Sequence, residues 1–433
     1  MRTRLTVALA ALGLVASAAR GDVLQASSTT IVTAGQSFRP QAGSTDYELK
    51  LAAPVYEIVS VSASEMRNSW GEFEAVVSAW GAVDAGPIRF WQNGAPAGSR
   101  GSGDVDVGYL RGDLLGRHLT FRLGRQMIVE GNARMVHLDG GQLVLRLPRG
   151  FGLSGYAGAP VAPRFDARGT QFATGNTAAT LAYGGRVSWG YAGRVELGAS
   201  VAMAQSGSEV VRREAGADLR LTPLHGLEIV GSGFYSLYDA RLAQALVSAQ
   251  YQLLRTLQLI ADYQHVEPDL LLPRNSILAV FVSDGRDEPG GGVHWTPLRT
   301  VTVDADYHYL KASDGDGGRA RVKGTWNGWR RTVLGADLQY LKIPESGYTL
   351  ARLFGSRTWG RLGGTLDLWW YRYEKQVNGQ DQSLGATLTG GYALAPAWKV
   401  LLAATAGSDP FYKSRLDVMA KLQWTQLFVR EVR

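Results

Sequence analysis

Three side chains that could do acid–base or metal chemistry lie close together in the stretch TVTVDADYHY, residues 300–309. They are Asp304, Asp306 and His308, spaced two residues apart. Carboxylates and imidazoles are the usual groups of general acid–base catalysis and of metal binding. The spacing also fits a β-strand, in which alternate side chains share one face and lie about 6.5 Å apart. At that distance the three groups cannot converge on one atom without help from neighbouring strands.

The residues between them are apolar, and this alternation is the stronger signal. Val301, Val303, Ala305 and Tyr307 alternate with polar residues, so a strand here has one apolar and one polar face. In a soluble protein the apolar face would cover a core. In an outer-membrane barrel it would face lipid, and the polar face would line a wet lumen. The same alternation recurs at residues 257–264, 320–326, 362–371 and 416–424.

An aspartate recurs at a similar place in several of these segments. An Ala-Asp pair followed by Leu or Tyr occurs at Asp218, Asp262, Asp306 and Asp337. A catalytic aspartate would be expected once or twice in a chain. The repetition therefore indicates a structural and electrostatic feature of one wall.

The first residues match a secretory signal peptide. Arg2 and Arg4 form a basic start, an apolar run covers residues 5–16, and small residues at 16–18 provide a cleavage pattern. The run is shorter than the roughly 20 apolar residues that a spanning helix needs. We therefore expect export to the cell outer membrane, with residues 1–18 as the signal peptide. The chain has no cysteine, so neither a lipid anchor on cysteine nor a disulfide is expected.

Composition favours an all-β chain. Glycine (54), tyrosine (18), tryptophan (12) and phenylalanine (12) are abundant, and no apolar run after residue 18 reaches the length of a spanning helix. The formal net charge is +7, partly through Arg2 and Arg4. Nucleic acid is not an expected partner of an exported protein, so we assign the excess charge to the lumen or the surface.

The connections between the strand segments alternate in length. Tight ones are predicted at residues 222–226, 254–256, 296–299, 327–329 and 395–397, and longer polar ones at 312–318, 343–347, 374–382 and 407–412. Short turns on one rim and longer loops on the other are typical of an outer-membrane barrel. The last strand, near residues 416–424, would run toward the short-turn rim and place the C-terminus in the periplasm.

These patterns predict an all-β fold, a transmembrane antiparallel up-and-down β-barrel of about 18 strands, within a range of about 16 to 20. A soluble β-protein, such as a lectin-like sandwich or a solenoid, is the alternative. Strand ends that carry Tyr and Trp favour the membrane interface instead. Residues 19–50 are expected to form an irregular N-terminal lead-in, although they could hold the first strand, and residues 51–433 form the barrel.

One region resembles known porin-like barrels. Residues 109–147 contain the phrases Leu123-Gly124-Arg125-Gln126, Ala133-Arg134 and Leu138-Asp139-Gly140, followed by a strand. This order is similar to a phrase in alginate-export porins and in channel barrels of gram-negative soil and metal-reducing bacteria. Residues 268–277 resemble a loop of the same broad group. The resemblance implies a porin-like channel in which nearby arginines line the pore and meet anionic solutes, and the matching positions here are Arg122, Arg125, Arg134 and Arg146.

The expected function is that of an outer-membrane channel for small or anionic solutes, with a water-filled and partly basic lumen. Export of a polysaccharide and a sheath around a periplasmic cytochrome are alternatives, which would add export or electron-transfer proteins as partners besides outer-membrane lipid. An outer-membrane enzyme is the weaker reading, because no His lies in a metal-ligand motif. No cofactor is expected, and the chain has no Cys-x-x-Cys-His motif for the covalent attachment of a c-type haem.

Two groups of residues are candidates for the pore. Besides the four arginines, the polar strand positions predict pore-lining roles for Asp304, Asp306, His308, Arg319, Arg321 and Lys323. Asp104, Asp106, Asp304 and Asp306 could neutralise these cations, in which case the lumen would have no basic sector. Residues 265–292 form a long connection with an apolar middle, which predicts a loop that folds inward and narrows the pore. An extension of the two flanking strands above the membrane is the alternative. Its candidate residues are Leu270, Leu271, Leu272, Ile277, Leu278 and Phe281.

Overall fold

The computed structural model describes residues 23–40, 47–86, 101–129, 136–161, 180–271, 285–344 and 346–429. Within these ranges the chain is almost entirely β-sheet. A single 3-10 turn, Pro148–Gly150, and one short helix, Pro268–Leu271, are the exceptions among the described residues. No described helix has the length and apolar character needed to cross a membrane.

The strands in chain order are β1 (Val23–Pro40), β2 (Tyr47–Ala52), β3 (Pro54–Asn68), β4 (Gly71–Asp84), β5 (Gly101–Leu114), β6 (Leu119–Ile128), β7 (Val136–Arg146), β8 (Phe151–Pro160), β9 (Leu181–Tyr191), β10 (Val195–Ser206), β11 (Glu209–Leu224), β12 (Leu227–Ser236), β13 (Arg241–Leu254), β14 (Leu257–Val266), β15 (Arg286–Leu298), β16 (Val301–Ala312), β17 (Gly315–Trp326), β18 (Thr332–Lys342), β19 (Gly347–Trp359), β20 (Leu362–Val377), β21 (Gln380–Ala395), β22 (Trp398–Asp409) and β23 (Tyr412–Val429).

Twenty-two of these strands close into one barrel. From β3 onward each strand pairs antiparallel with the next, and β1 closes the ring by pairing with β23 on one side and with β3 on the other. Strand β2 lies outside the ring, where it pairs with the last six residues of β1. The barrel therefore begins at Val23 and not at residue 51, so the first strand lies in the segment that was expected to be an irregular lead-in.

The all-β antiparallel barrel agrees with the sequence-based expectation, but the number of strands does not. The count is 22 rather than about 18. Residues 312–318 and 374–382, which were expected to be long loops, contain only two-residue turns at 313–314 and 378–379. Their polar residues belong to strands that continue to the turn, so each strand and its connection use fewer residues than expected.

The two rims of the barrel differ in their connections. We call the rim where Val23 meets Val429 the terminal rim. All ten connections there contain two to five residues, whereas the longest connections, β4–β5, β8–β9 and β14–β15, lie at the opposite rim. The last strand runs to the short-turn rim, as the sequence predicted. In outer-membrane barrels the rim with the short turns is the periplasmic one.

The outer face of the wall is apolar and ends in aromatic residues. Large exposed side chains include Val322, Leu338 and Leu353 at mid-strand. Exposed aromatic residues lie near both ends of the strands. Those near the terminal rim are Phe151, Tyr191, Tyr251, Trp295, Trp359, Tyr392 and Trp398, and those near the opposite rim are Tyr235, Tyr263, Tyr307, Tyr309 and Tyr340. On β15, Trp295 lies six positions from Pro289, the partner of Tyr263, which is about 20 Å along the strand. Two aromatic rows flanking an apolar band are typical of a lipid-facing barrel wall.

Candidate functional site

Asp304, Asp306 and His308 lie on one face of β16, the face on which the neighbouring strands also carry polar residues. They do not form a single site. Asp304 contacts His294, with 2.6 Å between Oδ1 and Nδ1. His308 places Nε2 2.6 Å from Oδ1 of Asp262 and Nδ1 3.4 Å from Oδ1 of Asp306. Among the described residues no group of three or more His, Asp and Glu side chains is arranged to hold a metal ion. Asp304 therefore links β16 to β15 and His308 links β16 to β14, while Asp306 lies beside His308 on the same strand.

The repeated aspartates each contact a cation or a histidine. Arg186 donates to Asp218 through two nitrogens, the shorter contact being 2.6 Å. Arg321 binds Asp337 in the same way, at 2.6 and 3.0 Å, while Asp262 and Asp306 flank His308. Asp337 keeps only 1% of its side chain exposed, so it depends on this partner. These contacts support the interpretation of the repeat as an electrostatic feature of one wall.

Two of these bridges pass over a glycine in the strand between the partners. Arg186 on β9 reaches Asp218 on β11 across Gly198 of β10, which pairs with Asp218 and lies two residues from Ser200, the partner of Arg186. His308 on β16 reaches Asp262 on β14 across Gly290 of β15 in the same manner. A β-carbon at Gly198 would lie 2.4 Å from Asp218 Oδ2 and 2.5 Å from an Arg186 nitrogen. Only glycine leaves the space for these long cross-strand contacts, a role that the sequence pattern did not reveal.

The predicted basic sector on β17 is partly neutralised. Arg319, Arg321 and Lys323 do share one face, opposite His308, Asp306 and Asp304 of β16. Arg321 is held by Asp337. Lys323 lies 5.7 Å from the ring centroid of Phe354, and within the described ranges neither it nor Arg319 forms an ion pair. On β19, Arg352 repeats the arrangement of Arg321 by contacting Asp367 of β20.

The candidate arginines of the porin-like segment separate into two groups. The register pairs Arg122 with Gln142 of β7. Val144 and Arg146 follow Gln142 at steps of two residues, so Arg146 lies on the same, polar face as Arg122. Arg125 lies three residues after Arg122 and falls in the row of Leu123, which is 54% exposed. It binds Asp139 at 2.7 Å and Asp104 at 3.1 Å, so it is apart from the other two. Arg134 lies outside the described residues.

A third arginine, which the sequence analysis missed, joins Arg122 and Arg146. Arg111 of β5 stands directly opposite Arg122 of β6. Arg122 stacks on Tyr109, with its guanidinium carbon 4.8 Å from the ring centroid. Arg146 donates to the Thr120 hydroxyl and to the Arg117 carbonyl, both at 2.8 Å. We call Arg111, Arg122 and Arg146 the arginine cluster; it could be found only once the register had aligned β5, β6 and β7.

The arginine cluster lines a cavity of about 330 Å³ that has no carboxylate among its lining residues. An adjoining cavity of about 460 Å³ shares Arg111 and Arg146 and carries four carboxylates, those of Glu65, Glu72, Glu74 and Asp113. Arg111 contacts Asp113 at 2.9 Å and Glu74 at 3.7 Å. In the described part of the chain the buried Nε atoms of Arg111 and Arg122 have no hydrogen-bond acceptor. Arg111 thus already has carboxylate partners, whereas Arg122 and Arg146 present donors and positive charge to the smaller cavity and form no ion pair among the described residues.

The predicted constriction loop falls almost wholly outside the described residues. Leu270 and Leu271 lie in the short helix Pro268–Leu271, where Leu270 donates its backbone N–H to the carbonyl of Glu267. The remaining candidates, Leu272, Ile277, Leu278 and Phe281, are beyond the described range. The inward-folding loop stays a prediction.

No protein-family model and no curated protein sequence matches the chain. Among solved structures, the ferric enterobactin receptor PfeA from Pseudomonas aeruginosa matches with a TM-score of 0.56 at 10% identity, over 93% of this chain and 80% of that one. The translocation pore of the P pilus usher PapC matches with a TM-score of 0.49 at 9% identity, over 93% and 99% of the two chains. OccAB4 from Acinetobacter baumannii matches with a TM-score of 0.46 at 9% identity, over 94% and 99%. At this level of identity the likeness to the receptor is one of fold. Together with the apolar outer face, it gives the chain the fold of an outer-membrane, porin-like β-barrel.

Proposed function

We propose that the barrel is an outer-membrane channel that passes small or anionic solutes, with the arginine cluster as a selective contact near the terminal rim. The observation that carries this proposal is the carboxylate-free cavity of about 330 Å³ beside Arg111, Arg122 and Arg146. Barrels of about 16 to 18 strands already enclose an aqueous channel, and this one has 22. Guanidinium groups bind carboxylate and phosphate oxygens through paired hydrogen bonds.

The rest of the polar face makes the arginine cluster stand out. Arg186, Arg321 and Arg352 each bind an aspartate on a nearby strand. Such pairs leave little net charge for a passing ion. Arg122 forms no ion pair among the described residues, and it stands opposite a second arginine. Arg111 is itself held by Asp113 and Glu74, so Arg122 and Arg146 are the members of the cluster whose charge an anionic solute would meet.

The groups that could have supported an enzyme are engaged in the wall. Asp304 contacts His294, and His308 contacts Asp262 and Asp306. This arrangement favours a channel over a catalytic site. A polysaccharide exporter or a cytochrome sheath would use the same barrel, but no contact among the described residues specifically favours either function.

Replacing Arg122 and Arg146 with Gln tests the proposal. In a planar bilayer with a salt gradient, we expect the ratio of anion to cation permeability to fall by about threefold or more, because the local positive potential is lost. Arg111 is left in place, since its removal would leave Asp113 and Glu74 without their partner.

The matched control removes two positive charges from the outer face, through Lys342→Gln and Arg372→Gln. Both residues are exposed and lie away from the arginine cluster, so the permeability ratio should stay at the wild-type value. An unchanged ratio in the Arg122/Arg146 variant would show that the cluster does not select anions.

A further inference from the structure

The connections at the terminal rim share an unusual composition. Seven of the ten contain arginine, and the β11–β12 turn contains His225. None of the ten contains Asp or Glu. We call the following residues, one from each of the seven connections, the arginine ring: Arg117, Arg149, Arg194, Arg255, Arg299, Arg331 and Arg361.

The charges of the arginine ring are free to meet an external anion. All seven residues are exposed. Arg117 binds Glu72 at 3.1 Å, whereas the other six form no ion pair within the described part of the chain. The opposite rim differs, because its described connections include Asp239, Asp269 and Asp314. The surplus of positive charge in the sequence is thus concentrated in part at one rim.

The arginine ring lies just beyond the aromatic row that marks the edge of the apolar band. Phe151 follows Arg149 by two residues, and Trp359 precedes Arg361 by two; Tyr191 precedes Arg194 by three. These aromatic side chains are 47%, 51% and 63% exposed on the outer wall. Exposed aromatics at strand ends sit at the level of the lipid headgroups. An arginine two to four residues further out therefore reaches the phosphate layer.

We propose that the arginine ring binds the phosphate groups of anionic phospholipids in the leaflet at the terminal rim. The ring follows the barrel perimeter from the β5–β6 turn to the β19–β20 turn, and only the β11–β12 turn between them lacks an arginine. Neighbouring hairpins are about 10 Å apart along the wall. A lipid leaflet surrounds the barrel in the same way, whereas a soluble acidic protein would cover one sector of the rim. Arginine also matches phosphate geometry through paired donors.

The test measures lipid preference at the wall of the full-length folded barrel. Brominated phosphatidylglycerol or brominated phosphatidylcholine quenches tryptophan fluorescence in mixed vesicles, and Trp295, Trp359 and Trp398 are exposed near the terminal rim. We expect the wild type to favour phosphatidylglycerol, and the preference to fall with added salt. A basic residue near an anionic surface contributes up to about fivefold, equivalent to about 1 kcal/mol.

The variant replaces Arg149, Arg194, Arg255 and Arg299 with Gln, and we expect it to lose about tenfold or more of the preference for phosphatidylglycerol. The matched control removes four exposed cations near the opposite rim, Lys311, Lys342, Arg372 and Lys413, and should keep that preference. A double variant, Arg255→Gln with Arg299→Gln, should show a partial loss and serves if the fourfold variant does not fold. Retention of the full preference for phosphatidylglycerol in either ring variant overturns the proposal and points to a soluble acidic partner. A loss of that preference in the control equal to the loss in the ring variant shows an effect of net charge alone and likewise overturns the proposal.

Discussion

An arginine at position 305 should lower the free energy of unfolding of the barrel by about 2–4 kcal/mol, the cost measured for a cation near the bilayer midplane on a lipid-facing wall. Ala305 pairs with Val293 on one side and Val322 on the other, and these valines are 37% and 52% exposed. Two residues before Ala305 lies Val303, which pairs with Trp295 of the aromatic row near the terminal rim. Two residues after it lies Tyr307 of the other aromatic row, so Ala305 lies between the two rows. Guanidinium titration of the barrel refolded in vesicles, followed by tryptophan fluorescence, gives the value.

The neighbouring substitution Asp306→Arg is the control, because the side chain of residue 306 points to the other face of the same strand. It changes the charge on the water-facing side, where substitutions alter selectivity more than stability. His308 keeps its 2.6 Å contact with Asp262 in this variant. We expect a cost below about 1 kcal/mol. If Asp306→Arg proves as costly as Ala305→Arg, the two faces of β16 have been assigned the wrong way round.

The class of fold and the faces of most strands could be predicted from the sequence, because both depend on local alternation. Residues 301–309 show this directly: the polar positions Asp304, Asp306 and His308 are paired with the polar positions Lys323, Arg321 and Arg319 on β17. The direction of the last strand was also predictable, since it depends only on which turns are short. These features do not require knowledge of which strands are neighbours.

The strand number was not predictable in the same way, because the turn positions at the opposite rim are ambiguous in the sequence. Polar residues at 312–318 and 374–382 are as suitable for a water-exposed strand end as for a loop. The extension of β1 beyond the barrel, where Gly35–Pro40 pair with β2, likewise needs the structure, since residues 35–40 show no clear alternation of apolar and polar positions.

The candidate site was predicted only in part, because its contacts join strands that are distant in the sequence. Arg111 stands opposite Arg122 through the pairing of β5 with β6, and nothing in the spacing of the two residues indicates it. The ion pair of Arg321 with Asp337 depends on the register of β17 and β18. The arginine ring is the reverse case: once the turns are located, it can be read from the sequence alone.

Alanine in place of Gly198 should lower the free energy of unfolding by about 1–3 kcal/mol, the cost of leaving partly buried polar groups unsatisfied. The added β-carbon would lie within 2.6 Å of Arg186 and Asp218 atoms, so the bridge between β9 and β11 must move apart. Arg186 and Asp218 keep only 16% and 20% of their side chains exposed, and water replaces the lost contacts poorly. The same reasoning applies to Gly290→Ala, where the β-carbon would lie 2.1 Å from His308 Cδ2.

Gly391 of β21 provides the matched control, because it also lies on the inner face of the wall. It is two residues from Thr389, which pairs with Thr365 of β20 on that face. A β-carbon there would find its nearest neighbour, the Val400 carbonyl oxygen, at 3.8 Å. Gly391→Ala should leave stability unchanged or raise it by about 0.4–1 kcal/mol, because alanine restricts the unfolded chain. A loss for Gly391→Ala equal to that for Gly198→Ala would mean that any side chain is unfavourable on this face. A loss confined to Gly198 and Gly290 would show that these two glycines are needed for the bridges that join β9 to β11 and β14 to β16 across the strand between them.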